Sequence, residues 1–270
     1  MKTELGSEEY LLDVQKHLDN LLATLHVVNE KLPNSKDDLR MAFSMMVWPI
    51  VESGHSLLFL SSGHKLRDSY ILARPIFEHV LNMGYFGAKG NSVIRKALNH
   101  TQQKSYRDLS REITIKDIKI AVGLKNIEDY PVTDDLRKSI EEFTNKKGFE
   151  ERSWTGDNIF KKIELISDKY SKEIGLILTA NLYFIYRHSS EIIHGTLFGV
   201  SFSMGLTRIS HEWSKNDDDY RKFVNTRISL IIVNVMLLTY CALEIIHYHY
   251  PIPDEIIKAK KIVYDFHDKT

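Results

Sequence analysis

The chain has 270 residues, enough to bury a substantial core, and its 43% hydrophobic and 27% charged content is that of an ordinary globular protein. Lysine plus arginine and aspartate plus glutamate balance at 36 each, which excludes a global field favouring nucleic acid or membrane and leaves such contacts to local patches. The single Cys241 excludes an intrachain disulfide and a multi-cysteine zinc site, and its setting, "LLTYCALEII", predicts a packed core thiol.

The opening "MKTELGSEEYLL" lacks a positive segment followed by an apolar core, so no secretion signal is expected and a reducing cytoplasm is the compartment that fits. Val14, Leu18, Leu21, Leu22, Leu25 and Val28 form one helical stripe, ending near "KLPNSKDD". A second helix is predicted from Asp37 to about Ser61, with Pro49 as a kink site. A third covers "KLRDSYILARPIFEHVLNMGYFGAKG", where Pro75 should bend the helix or free a carbonyl near Ile71. The fourth, Ser92 to about Glu112, is amphipathic and rich in charge.

Residues 113–158 read as a less regular helical insertion or cap. The bundle resumes with "NIFKKIELISDKY" and with a helix from Ile174 to His194. A glycine-containing connection then leads to a long helix from about Tyr220 to Tyr250. Its most apolar part, Ile228 to Leu243, lies between Arg227 and Glu244 and contains Asn234. That run is shorter than the roughly 20 residues a spanning helix needs, so it reads as a buried helix, with no membrane partner expected. No strand-like alternation is sustained and no repeat is visible. The expected fold is all-α: a single helical domain over residues 1–270, built as an antiparallel helical bundle carrying the 113–158 insertion.

The chemistry-bearing residues gather on two of these helices. In "YRHSSEIIHG", Arg187 and His194 are seven residues apart and point within about 20° of each other on α geometry. Glu191 lies between them and could bridge guanidinium to imidazole, while Tyr183 and Ser190 flank the stripe. His188 sits about a quarter turn away and should face another helix. On the third helix Arg74 and Glu78 are an i,i+4 pair in an otherwise apolar string. A buried arginine without a partner is costly, so Arg74 is expected to pair with Glu78 or across to Glu191.

Arg187 and His194, with six residues between, resemble the R-x(4–6)-H motif of HEPN proteins, all-helical domains of which many are metal-independent ribonucleases. "RPIFE" (74–78) together with "YRHSSEIIHG" (186–195) also resembles an uncharacterised bacterial helical family with R-x-x-x-E and Y-R-x-x-S-x-x-x-H helices, over about residues 40–200. The HEPN resemblance implies a toxin-like endoribonuclease in bacterial defence or stress response, with RNA as substrate and no cofactor or metal. His194 would move the proton and Arg187 would stabilise the phosphorane charge, with His188 orienting Arg187 or contacting phosphate. It further implies a homodimer that pairs two motifs, and an antitoxin or other defence-system partner.

Two other readings stay open from the residues themselves. A non-catalytic ligand- or partner-binding protein would use the Arg–Glu–His stripe as a packing network. A ferritin-like di-metal protein is the third, because "EIIH" recurs at 244–247. Glu191/His194 and Glu244/His247 would supply the two Glu-x-x-His turns, with Glu78 or Glu52 as a further carboxylate. The last carboxylate should come from residues 196–243, where Glu212 is the sole glutamate.

Overall fold

The computed structural model describes residues 4–34, 37–123, 131–205 and 217–267. Helices dominate and the only sheet among the described residues has two strands, so the fold is the all-α bundle expected. Two compact units divide the chain: residues 1–88 with 159–270, and residues 89–158.

The larger unit is built from α1 (Glu8–Lys31), α2 (Asp38–Ser62) and α3 (Leu66–Lys89), then from α6 (Ile159–Lys169) and the helices that follow it. The predicted α1 stripe is fully enclosed, from Val14 through Val28, and Leu11 extends it by a further turn. It packs against α10 (Asp217–His249), the 33-residue helix at the centre of the unit, and against α2 and α11 (Pro253–His267). Side-chain caps start the helices where the sequence offers them: Ser7 accepts from the Tyr10 amide at 3.1 Å and Asp37 from the Leu39 amide at 3.2 Å. The acidic run Asp217–Asp219 occupies the first turn of α10, where the helix dipole favours negative charge.

Both α2 and α10 are long and apolar enough to cross a membrane by composition, but the apolar window of α10 is 72% buried within the protein and that of α2 is 33% buried. Cys241 is fully enclosed in α10, and burial pushes its thiol well above the ordinary range.

The smaller unit differs from the insertion expected in extent and in kind. It begins at Lys89 rather than 113, so it takes in α4 (Asn91–Asp108), which ends four residues before Glu112. A β-hairpin follows, β1 (Ser110–Ile115) pairing antiparallel with β2 (Ile118–Gly123), Ile115 opposite Ile118. "EITIKDIKIAVG" is rich in β-branched residues, which favour strands, and Lys116 adopts φ +54° at the turn. The short helix α5 (Asp134–Glu142) follows. Arg107 of α4 fastens this unit, donating to the Ile140 carbonyl at 3.2 Å and to the Thr144 hydroxyl at 2.6 Å.

Candidate functional site

The segment predicted as one helix from Ile174 to His194 is three pieces in line: α7 (Lys172–Asn181), a π-helical stretch (Leu182–Arg187) and α8 (His188–Ile193). A π stretch replaces i→i+4 with i→i+5 bonding and recurs at functional sites. Its widened turn replaces the 100° step over Leu182–Arg187, and Tyr183 and Arg187 are both exposed. The Tyr183 carbonyl accepts from the His188 ring at 3.0 Å.

Arg187 closes the π stretch and His194 caps the C-terminal end of α8. Gly195 follows with φ +61°, a left-handed conformation that accounts for a glycine directly after the histidine. Buried Ser189 and Ile192 point into the unit, while Arg187 and His194 lie on the opposite, exposed side. Neither Arg187 nor His194 makes a side-chain hydrogen bond or ion pair with any described residue. Half-buried Ser190, on the same side, lends its carbonyl to the His194 amide at 3.0 Å.

The bridge expected from Glu191 does not form. Its carboxylate accepts from the Thr196 hydroxyl at 2.7 Å, and that hydroxyl in turn accepts from the Gly199 amide at 3.0 Å, starting α9 (Leu197–Ser203). Thr196 wins because it caps the next helix within reach of Glu191, whereas Arg187 and His194 are drawn towards water. Glu191 therefore fixes the α8–α9 corner. Gly199 completes the corner, since a Cβ there would lie 2.5 Å from the Glu191 carbonyl oxygen.

Arg74 pairs with Glu78 at 2.9 Å and not with Glu191. Its guanidinium lies 4.5 Å from the Tyr186 ring centroid and reaches the Tyr186 hydroxyl at 3.4 Å, and Phe77 packs against the same ring at 5.9 Å. That makes the Arg74–Glu78 pair a packing device joining α3 to the π stretch, one residue from Arg187.

His188 packs against residues of α3 and α9. Its ring sits 4.4 Å from Phe202, 5.9 Å from Tyr70 and 6.3 Å from Phe198. Burial holds it below the ordinary histidine range, opposed by hydrogen bonds to the Tyr183 and Phe184 carbonyls and reinforced by Arg227 and Arg187. Arg227 of α10 completes the cluster, lying over Phe202 at 5.3 Å and Phe223 at 5.6 Å. Sequence reasoning missed Arg227, Tyr70 and Phe202, since three separate helices supply them; their only local signal was a cation at the edge of an apolar run.

The two Glu-x-x-His turns do not converge. Among the described residues no group of three His, Cys, Asp or Glu side chains is placed to hold a metal. Glu244 binds Lys260 at 3.2 Å and accepts from Tyr240, His247 accepts from the Ile252 amide at 2.9 Å, and Glu52 is exposed on α2. Glu212 lies outside the described residues.

The model of a family of unknown function, DUF5677, matches residues 43–210. The chain belongs to the DUF5677 family. The DUF5677 match takes in both the Arg74–Glu78 pair and the Arg187–His194 stripe. No curated protein and no solved structure matches the chain.

Proposed function

We propose that this DUF5677 member is a HEPN-like, metal-independent endoribonuclease acting in the cytoplasm in defence or stress, with Arg187 and His194 as its catalytic pair. The observation that carries the reading is the division of labour between the polar residues. Arg74, Glu78 and Glu191 are consumed by packing contacts, whereas Arg187 and His194 share an exposed stripe with no partner among the described residues. Uncommitted cation and imidazole on one face suit the cleavage of a substrate that brings its own nucleophile.

In that reaction the ribose 2′-hydroxyl forms the new O–P bond and the P–O5′ bond breaks. A histidine accepts the proton from the 2′-oxygen and a histidine returns one to the departing 5′-oxygen. Arg187 stabilises the equatorial oxygens of the pentacoordinate phosphorus with its planar fork of donors. A homodimer supplies a second Arg187–His194 stripe, so acid and base come from different chains. Exposed apolar side chains beside the stripe, Ile193 at 47%, Leu197 at 84% and Val200 at 48%, support a partner covering this face. Exposed Tyr183 and Phe184 offer rings on which unpaired bases stack.

The same apolar residues favour the second reading, a non-catalytic protein that docks a partner such as an antitoxin on α9. Incubation with single-stranded RNA in EDTA separates the two. The nuclease reading expects 2′,3′-cyclic phosphate ends and no cutting at a position carrying a 2′-deoxy sugar. Intact RNA, with the protein dimeric and folded, would leave the docking reading.

A further inference from the structure

Arg227 is a half-buried cation that the catalytic pair does not use. Its guanidinium lies over Phe202 and Phe223, which leaves the N–H donors at its edge without a carboxylate or carbonyl acceptor among the described residues. A cation withdrawn from water without a counter-ion is costly, and a guanidinium stacked on aromatic rings keeps its planar edge available to phosphate. His188 leans on the same Phe202 ring. Because its Nδ1 is spent on the Tyr183 carbonyl, neutral His188 carries its hydrogen there and presents Nε2 as an acceptor. Tyr70 and Phe198 wall the imidazole, and Phe198 is 48% exposed. Arg227 and His188 thus lie 5.3 and 4.4 Å from the one Phe202 ring, which brings a donor fork and an acceptor within the span of one nucleotide.

We propose that Arg227 and His188 form a second subsite for single-stranded RNA, in which Arg227 takes a backbone phosphate and His188 Nε2 accepts a ribose 2′-hydroxyl. This inference rests on the RNA-acting reading above and adds to it a place where ribose is told from deoxyribose away from the scissile bond. A nucleotide adjacent to the one being cleaved would occupy it. Phe198 supplies a ring edge for its base.

The test uses full-length protein carrying His194→Ala, so that bound RNA stays intact. Anisotropy of a short fluorescein-labelled single-stranded RNA, and of the DNA of the same sequence, is titrated in EDTA at several salt concentrations. Arg227→Met is expected to weaken RNA binding by about tenfold and to lower the salt slope by about one. His188→Phe keeps the ring packing and should weaken RNA several-fold while leaving DNA unchanged. Should Arg227→Met lose its thermal transition, Arg227→Lys replaces it, expected to keep the salt slope while losing several-fold in affinity. Parent protein that binds RNA, with Arg227 variants unchanged in affinity and slope, overturns the subsite and leaves the catalytic reading intact. So does a His188→Phe loss shared equally by RNA and DNA. A parent that binds no RNA overturns both.

Discussion

Replacing Arg74 with alanine should cost stability and leave in place the RNA cleavage proposed for the Arg187–His194 stripe. The ion pair to Glu78 contributes little, about 0.5 kcal/mol, because the Glu78 side chain is 43% exposed and water screens it. The guanidinium at 4.5 Å from the Tyr186 centroid is better shielded, with the Arg74 side chain 19% exposed, and that contact should contribute about 1 kcal/mol. The long bond to the Tyr186 hydroxyl and the packing of the aliphatic stem add roughly another 0.5 kcal/mol. A loss of about 2 kcal/mol lowers Tm by about 4–8 °C for a protein of this size. Thermal unfolding followed by circular dichroism reads it directly. Arg74→Lys, which keeps the charge and gives up the planar stack, should fall about halfway. Arg187→Ala should stay within about 2 °C of the wild type, since it removes an exposed side chain that makes no hydrogen bond or ion pair with any described residue. An Arg74→Ala protein that melts with the wild type yet no longer cleaves RNA would refute the reasoning and move Arg74 into the reacting set.

Acid should destabilise the fold early. Burial is the main reason that His79, His188 and His249 have lowered pKa values, so each is neutral in the fold and takes up a proton more readily once unfolded. The unfolded chain then binds more protons below about pH 6.5, and Tm should fall between pH 7.5 and 5.5; a flat or rising Tm contradicts this. Gly199→Ala places a methyl against the Glu191 backbone, which cannot give way as a side chain would, and should cost about 1–3 kcal/mol by calorimetry. A Gly199→Ala Tm equal to that of the wild type would show that the α8–α9 corner is loose. Cys241 should resist a thiol reagent in the native protein and react fully in guanidinium, and prompt native labelling would contradict its burial.

The sequence carried the bundle because helical period and enclosure coincide. The Val14 to Val28 stripe reads as a buried face and is buried, and most apolar residues of Ile228 to Leu243 are buried as read. The hairpin was not read: Ile113, Ile115, Ile118 and Ile120 alternate over too short a run, broken by lysines and an aspartate, to signal a pair of strands with no further sheet to join among the described residues. The π stretch was not legible, since nothing in "LYFIYR" distinguishes an i→i+5 turn from an α turn. Spacing put Arg187 and His194 on one side and His188 on another; in the structure Arg187 and His194 are exposed, and the His188 ring packs on Phe202. The role of Glu191 was misjudged because helical spacing reports neighbours within a helix, and its partner, Thr196, lies past the glycine that ends it. Arg227 joins the site only through the packing of α9 and α10 around Phe202, which no local pattern encodes.

Comparing RNA cleavage in EDTA by the wild type, Arg187→Ala and His194→Ala tests the central claim most directly. Cyclic-phosphate products from the wild type, with both variants folded, dimeric and inactive, are the predicted result. Equal cleavage by all three proteins would contradict the assignment of the catalytic pair.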